Sequence, residues 1–231
     1  MNTSPIFSAD DKLYDIVSTN PKLLLLLSRF GIELGFGDQN VHEVCQRNHI
    51  STDLFLLVCN IYSNPDYTPR RSDFEAIDME GLLPYLQASH QYYTEVRFPH
   101  IEEHLQHILD AAQPRHAKML QRFYEDYRNE VNQHFKYEEE VVFPYILSLC
   151  QGKADRKFGI GEFKENHTNI EDTLEDMMNI LIKYLPGDIL PKERIEISMD
   201  IMELSADLIS HTMIEDRILV PYVESLENAR P

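Results

Sequence analysis

A chain of 231 residues with 43% apolar side chains is long enough to bury a core, and its 39 acidic against 21 basic residues leave a formal net charge of −18. That surplus repels nucleic acid and anionic lipid, so neither is expected as a partner. Three cysteines without a CxxC pair exclude a disulfide framework, and no apolar run, Leu23 to Leu27 included, is long enough to span a bilayer.

The first residues, MNTSPIFSADDKLYD, lack the basic-then-apolar pattern of a secretory signal, so a cytoplasmic location is expected. Apolar residues recur at three- and four-residue steps almost throughout, which predicts an all-α chain. Short helices are expected at 10–18, 21–30, 41–48 and 52–62. Asn20-Pro21 starts the second, Gly31 stops it, and Ser51 caps the fourth. Residues 1–62 therefore read as a small helical N-terminal domain. The stretch SNPDYTPRRSDFEAIDMEG, residues 63–81, is rich in proline and charge, lacks a sustained period and reads as a linker.

Four longer helical stretches follow within 82–231, at 82–112, 115–149, 159–185 and 191–228, with breaks at Gln113-Pro114, Gln151-Gly152 and Pro186-Gly187. Long helices with short connections predict an up-down antiparallel four-helix bundle. Pro99, Pro144 and Pro221 are expected to kink their helices or end the regular part of them.

The second and fourth of these helices carry one pattern twice. HFKYEEEVVFPYI begins at His134 and HTMIEDRILVPYV at His211: a histidine, a glutamate four later, a second acid next, an apolar run after one more charged residue, then Pro-Tyr. His134 and His211 are 77 positions apart, and so are His90 and His167 on the other two helices (211 − 134 and 167 − 90). Each helical hairpin thus supplies one lone histidine and one His-x-x-x-Glu pair. Residues i and i+4 share a helix face, so His134 with Glu138, and His211 with Glu215, can converge on one point. Imidazole nitrogens with carboxylate oxygens suit iron, manganese or zinc, whereas thiolates are expected of a structural zinc or a cluster. Four histidines and two glutamates exceed one tetrahedral ion. Two ions bridged by Glu138 and Glu215, each capped by two histidines, use all six and leave positions open for a small molecule.

At these residues the sequence resembles the hemerythrin-like HHE superfamily, and within it the RIC family (repair of iron centres). The bundle matches from about 82 to 228, and LLLLLSRFGIELGFGDQNVHEVC is similar to that family's small N-terminal domain. The resemblance implies a non-heme di-iron centre, oxo- or hydroxo-bridged, on His90, His134, Glu138, His167, His211 and Glu215, with Glu130 as an acid near the metals. It also implies a role in restoring iron–sulfur clusters damaged by oxidants or nitric oxide. Iron–sulfur proteins are then the clients, and dioxygen or nitric oxide the small ligands. The family's Cys-Cys pair is absent, because the matching stretch is Glu33-Leu34-Gly35-Phe36-Gly37. Asn166 stands where an acid often precedes the third histidine. Oxygen-carrying relatives use positions that fall here on Glu171 and Asp216, so a hemerythrin-like dioxygen or nitric oxide sensor without turnover is the alternative, and an iron-storage bundle a third reading.

Three further histidines, His100, His104 and His107, line one face of the first long helix and are expected to form a surface cluster. Tyr92, Tyr93, Tyr124, Tyr127 and Tyr137 are expected mostly in the core or a groove, and Val141, Val142, Phe143, Leu219 and Val220 in core packing beside the metals. The short N-terminal helices offer a surface for a homodimer.

Overall fold

The computed structural model describes residues 6–70, 73, 79–153, 159–166 and 171–228, the side chains of 80, 165, 166 and 171–173 apart. Among the described residues every regular element is helical, and one isolated bridge, Lys12 with Asn40, is the nearest approach to a sheet. In chain order the short helices are α1 (Leu13–Thr19), α2 (Leu23–Arg29), α3 (Val41–Arg47) and α4 (Thr52–Ser63). Then come α5 (Met79–Gln91), α6 (Phe98–Ala111), α7 (Pro114–Tyr137) and α8 (Phe143–Cys150). The last are α9 (Ile160–Asn166), α10 (Glu171–Asn179), α11 (Pro191–Ile214) and α12 (Val220–Asn228). The chain packs as two units, Met1–Ser89 with Ser210–Pro231, and His90–Ile209.

In the first unit the start and stop signals act as their chemistry predicts. Asn40 and Glu43 close a reciprocal capping box on α3, at 2.8 and 3.0 Å, and the Ser51 hydroxyl accepts the Leu54 N–H at the start of α4. Gly31 adopts φ +67° directly after α2, the left-handed turn that stops the helix. The N-terminal helices are tied to α5 by aromatic packing: the Phe30 ring stacks on Tyr85 at 4.6 Å and meets Phe55 edge-on at 5.3 Å. Buried Arg29 donates to the Tyr62 hydroxyl at 2.8 Å. Farther along, Arg217 donates to the Tyr67 carbonyl at 2.8 Å, so the segment before α12 holds the backbone that follows α4.

In the second unit four helical stretches share one apolar core. Tyr93, Phe98 and Ile101 come from the first, Leu120, Tyr127 and Phe135 from the second, Leu174 and Leu181 from the third, and Ile197 and Leu204 from the fourth. Tyr93, Tyr124 and Tyr127 lie in this core as expected, and the Tyr124 hydroxyl donates to the Phe98 carbonyl at 3.0 Å. Arg194 donates to the carbonyls of Leu181 (2.9 Å from Nε) and Pro186 (2.7 Å), closing the end of the third stretch with a cation.

The three prolines do not simply kink their helices. Each follows a π-helical segment: Tyr92–Arg97 before Pro99, Glu138–Val142 before Pro144, and Glu215–Leu219 before Pro221. A proline inside an α-helix lacks the N–H for residue i−4 and its ring clashes with that carbonyl. The wider turn takes up the misfit, and its closing bonds run five residues back, from Phe143 to Glu138 and from Val220 to Glu215. The phase of the helix shifts accordingly. Val142, Phe143, Leu219 and Val220 are buried as expected, but Val141 is turned out to 38% exposure.

Candidate metal centre

Glu138 and Glu215 each occupy the first position of a π-helical segment, directly after the helix that carries the histidine one turn earlier. Both are fully buried, and His90 and His211 are buried with them. Buried groups of histidine and glutamate of this kind are able to hold a metal ion.

In the second unit the Glu138 carboxylate is flanked by two imidazoles. Its Oε2 lies 3.1 Å from His90 Nε2, and its Oε1 lies 3.1 Å from His134 Nε2. Two ligands bound at about 2.1 Å to one octahedral ion are about 3 Å apart, so the spacing is that of neighbouring donors around a shared cation. His90 sharpens the point. Its Nδ1 lies 2.8 Å from Glu139 Oε1, and a carboxylate only accepts, so Nδ1 carries the proton. The Nε2 of the same ring faces the Glu138 carboxylate, so a cation between them would be held from both sides. A carboxylate taken out of water costs several kcal/mol without compensation, which favours a positive charge beside Glu138.

The surroundings fix the ring. His90 stacks on Phe135, with centroids 4.0 Å apart and planes 10° off parallel, and on Phe143 at 5.8 Å and 14°. Glu139 completes the arrangement: the hydrogen bond from His90 holds its carboxyl below the usual carboxylate range, against a smaller opposing effect of partial burial. This is the histidine–carboxylate pairing that orients metal-binding imidazoles. Glu139→Gln keeps an acceptor but removes the charge, and is expected to weaken metal binding by about 10- to 100-fold with no loss of helicity. Equilibrium competition against a chelator measures it; affinity within twofold of the parent would show that Glu139 positions nothing.

In the first unit His211 Nε2 lies 3.1 Å from Glu215 Oε1, repeating the His134–Glu138 geometry at the same i, i+4 spacing. Its neighbour Asp216 is exposed. His167 lies outside the described residues, as do the side chains of Asn166 and Glu171. Glu130, one turn before His134, is exposed. Sequence reasoning missed the part played by Glu139. The second acid after each histidine was visible in the repeat, but its partner on another helix was not.

No thiol pair accompanies the site. Glu33, Leu34 and Gly35 are exposed, while Cys45 and Cys59 are buried in the first unit. Burial pushes the Cys45 thiol up to about 12, against a lowering hydrogen bond with Thr52, and pushes Cys59 well above its ordinary value. Neither is a nucleophile at neutral pH.

A helical chain with buried His-x-x-x-Glu pairs defines a class, and the comparison with known families agrees: the family described as Hemerythrin HHE cation binding domain matches residues 83–226. The chain belongs to this hemerythrin HHE cation-binding family. It is also similar to the "Iron-sulfur cluster repair protein ScdA" of Staphylococcus haemolyticus, 22% identical over 214 residues that cover 89% of this chain and 94% of the relative. Proteins of the same name from two strains of Staphylococcus epidermidis are 22% identical over 178 residues, 75% of this chain and 74% of theirs. These relatives agree with the narrower resemblance to the RIC family. Among the described residues no helix is long and apolar enough to cross a membrane.

Proposed function

We propose that this protein carries a non-heme di-iron centre and supports the repair of iron–sulfur clusters damaged by oxidative or nitrosative stress. The observation that carries the reading is the fully buried Glu138 carboxylate with an imidazole nitrogen 3.1 Å from each of its oxygens. The proposed ligands that would hold the iron are His90, His134, Glu138, His167, His211 and Glu215. Bound iron would supply redox-active positions open to dioxygen or nitric oxide. The chain's own work is to bind, orient and shield. Glu138 and Glu215 supply negative charge without water, Glu139 and Phe135 hold the His90 ring, and the apolar core excludes solvent. The names of the relatives support the repair reading, and iron–sulfur proteins are the proposed clients, served by iron donation or nitric oxide handling in the cytoplasm. The same proposal keeps 1–62 as a small N-terminal domain, 63–81 as a linker and 82–231 as the metal-binding part.

One observation favours a second reading, reversible dioxygen or nitric oxide binding without turnover. The thiols in the N-terminal part are buried and held protonated, so that part adds no thiol chemistry to the metal centre. Protein purified without oxygen and reconstituted with iron is expected to hold two ions per chain and to pass iron into an apo cluster protein. A reversible dioxygen adduct without transfer selects the sensor instead. Fewer than one ion per chain removes both.

A further inference from the structure

We propose that His100, His104 and Asp200 form a second metal site, an exchangeable surface site for a divalent transition-metal ion. All three belong to the unit His90–Ile209 and none is a ligand in the proposed buried centre. His100 and His104 stand one turn apart on α6, with ring centroids 4.7 Å from each other. Asp200, on α11, brings Oδ2 to 3.3 Å from His100 Nε2. One ligand atom from each of the three lies within 4.8 Å of the others. The third member is therefore not the exposed His107 that helical spacing suggests, but a carboxylate nearly a hundred residues later in the chain.

The carboxylate is aimed. Arg97 donates to the Asp200 backbone carbonyl at 3.0 Å and to its Oδ1 at 3.4 Å, which leaves Oδ2 for the histidines. Hydrogen bonds to the oxygen that does not face the metal orient ligating carboxylates in this way. The Arg97 charge is itself answered by Glu203, 3.6 Å away, so it does not cancel the carboxylate. A plain surface ion pair accounts for His100 and Asp200 but gives no role to the second imidazole beside them. Two imidazoles and one carboxylate leave open positions for water, and this donor set takes zinc, cobalt or ferrous ions over calcium or magnesium. With the His100 side chain 46% exposed and Asp200 18%, the bound ion exchanges with solvent.

The test uses the full chain with its buried centre already loaded and excess metal removed. Zn²⁺ is titrated by calorimetry, and Co²⁺ by its visible absorption. The parent is expected to take one further ion per chain, which H100A/H104A loses. Asp200→Asn is expected to bind at least about tenfold more weakly. Helical circular dichroism and buried-centre metal content should be unchanged in all variants, and excess Mg²⁺ should not compete. If the double variant loses helicity, His104→Gln alone decides by the same readout. The proposal is overturned if the parent takes up no further ion, or if the variant isotherms superimpose on the parent's. Because His134→Ala removes only a ligand of the proposed buried centre, retention of surface Co²⁺ in that variant separates a failure of one site from a failure of the other.

Discussion

Glu138→Gln is expected to remove most of the metal-dependent stabilisation while leaving the metal-free protein as stable as its parent or more so. The two halves of the result have one cause. In the metal-free protein a fully buried carboxylate faces two imidazole nitrogens at 3.1 Å, and these contacts offset only part of its desolvation. Glutamine has the same shape and no charge, so the substitution removes a cost of several kcal/mol by continuum reasoning, of which relaxation returns part. With metal present the sign reverses. Losing a buried anionic partner leaves the cation's charge unpaired at a cost of about 3–5 kcal/mol, or roughly 100- to 5,000-fold in affinity. Metal at a thousandfold over its dissociation constant stabilises the parent by about 4 kcal/mol, and this gain should fall to about 1 kcal/mol or less in the variant. Thermal melts with and without metal, run beside metal analysis, read both halves. An unchanged metal-induced rise in Tm would show that Glu138 is no ligand.

Much of this arrangement is legible in the sequence because helices write their faces in fixed spacing. The i, i+4 pairs and the shared offset of His90 with His167 and of His134 with His211 point to one ligand chemistry, and in the described residues His90, His134 and Glu138 do meet. The choice of Glu215 over Asp216 follows from the same spacing, and the burial of one with exposure of the other agrees with it. Helix ends at Gly31 and Ser51 are legible because capping is local chemistry. Other features are not. Proline announces a break in hydrogen bonding, but whether the helix kinks or widens into a π turn depends on what packs around it. That choice put Val141 outside and Glu138 at the head of the wide turn. Partners from distant segments are equally silent: Glu139 gains meaning from His90, Asp200 from His100 and Arg97, and Tyr85 from Phe30. In each case the residue type is visible and its use is set by tertiary contact.

Phe135→Ala tests whether the core and the site are one structure. Phe135 is 4% exposed and belongs to the apolar core of its unit, yet its ring also forms the stacking surface for His90 and lies 5.7 Å from Tyr93. Truncating a buried phenylalanine costs about 3–5 kcal/mol through lost burial and the cavity left behind. For a chain of this length that lowers Tm by roughly 10 °C or somewhat more. A second effect is specific to the site. Without the parallel face the His90 imidazole loses its closest ring contact, the more distant Phe143 being a weaker guide, so its plane is less firmly held. Metal binding should weaken beyond what the stability loss alone implies. Phe135→Leu separates the two effects, because it restores most of the buried volume but no aromatic face. It should recover the larger part of the Tm and little of the metal affinity. If both variants melted like the parent, the packing described around His90 would be wrong. If leucine restored affinity fully, stacking would have no part in holding the ring.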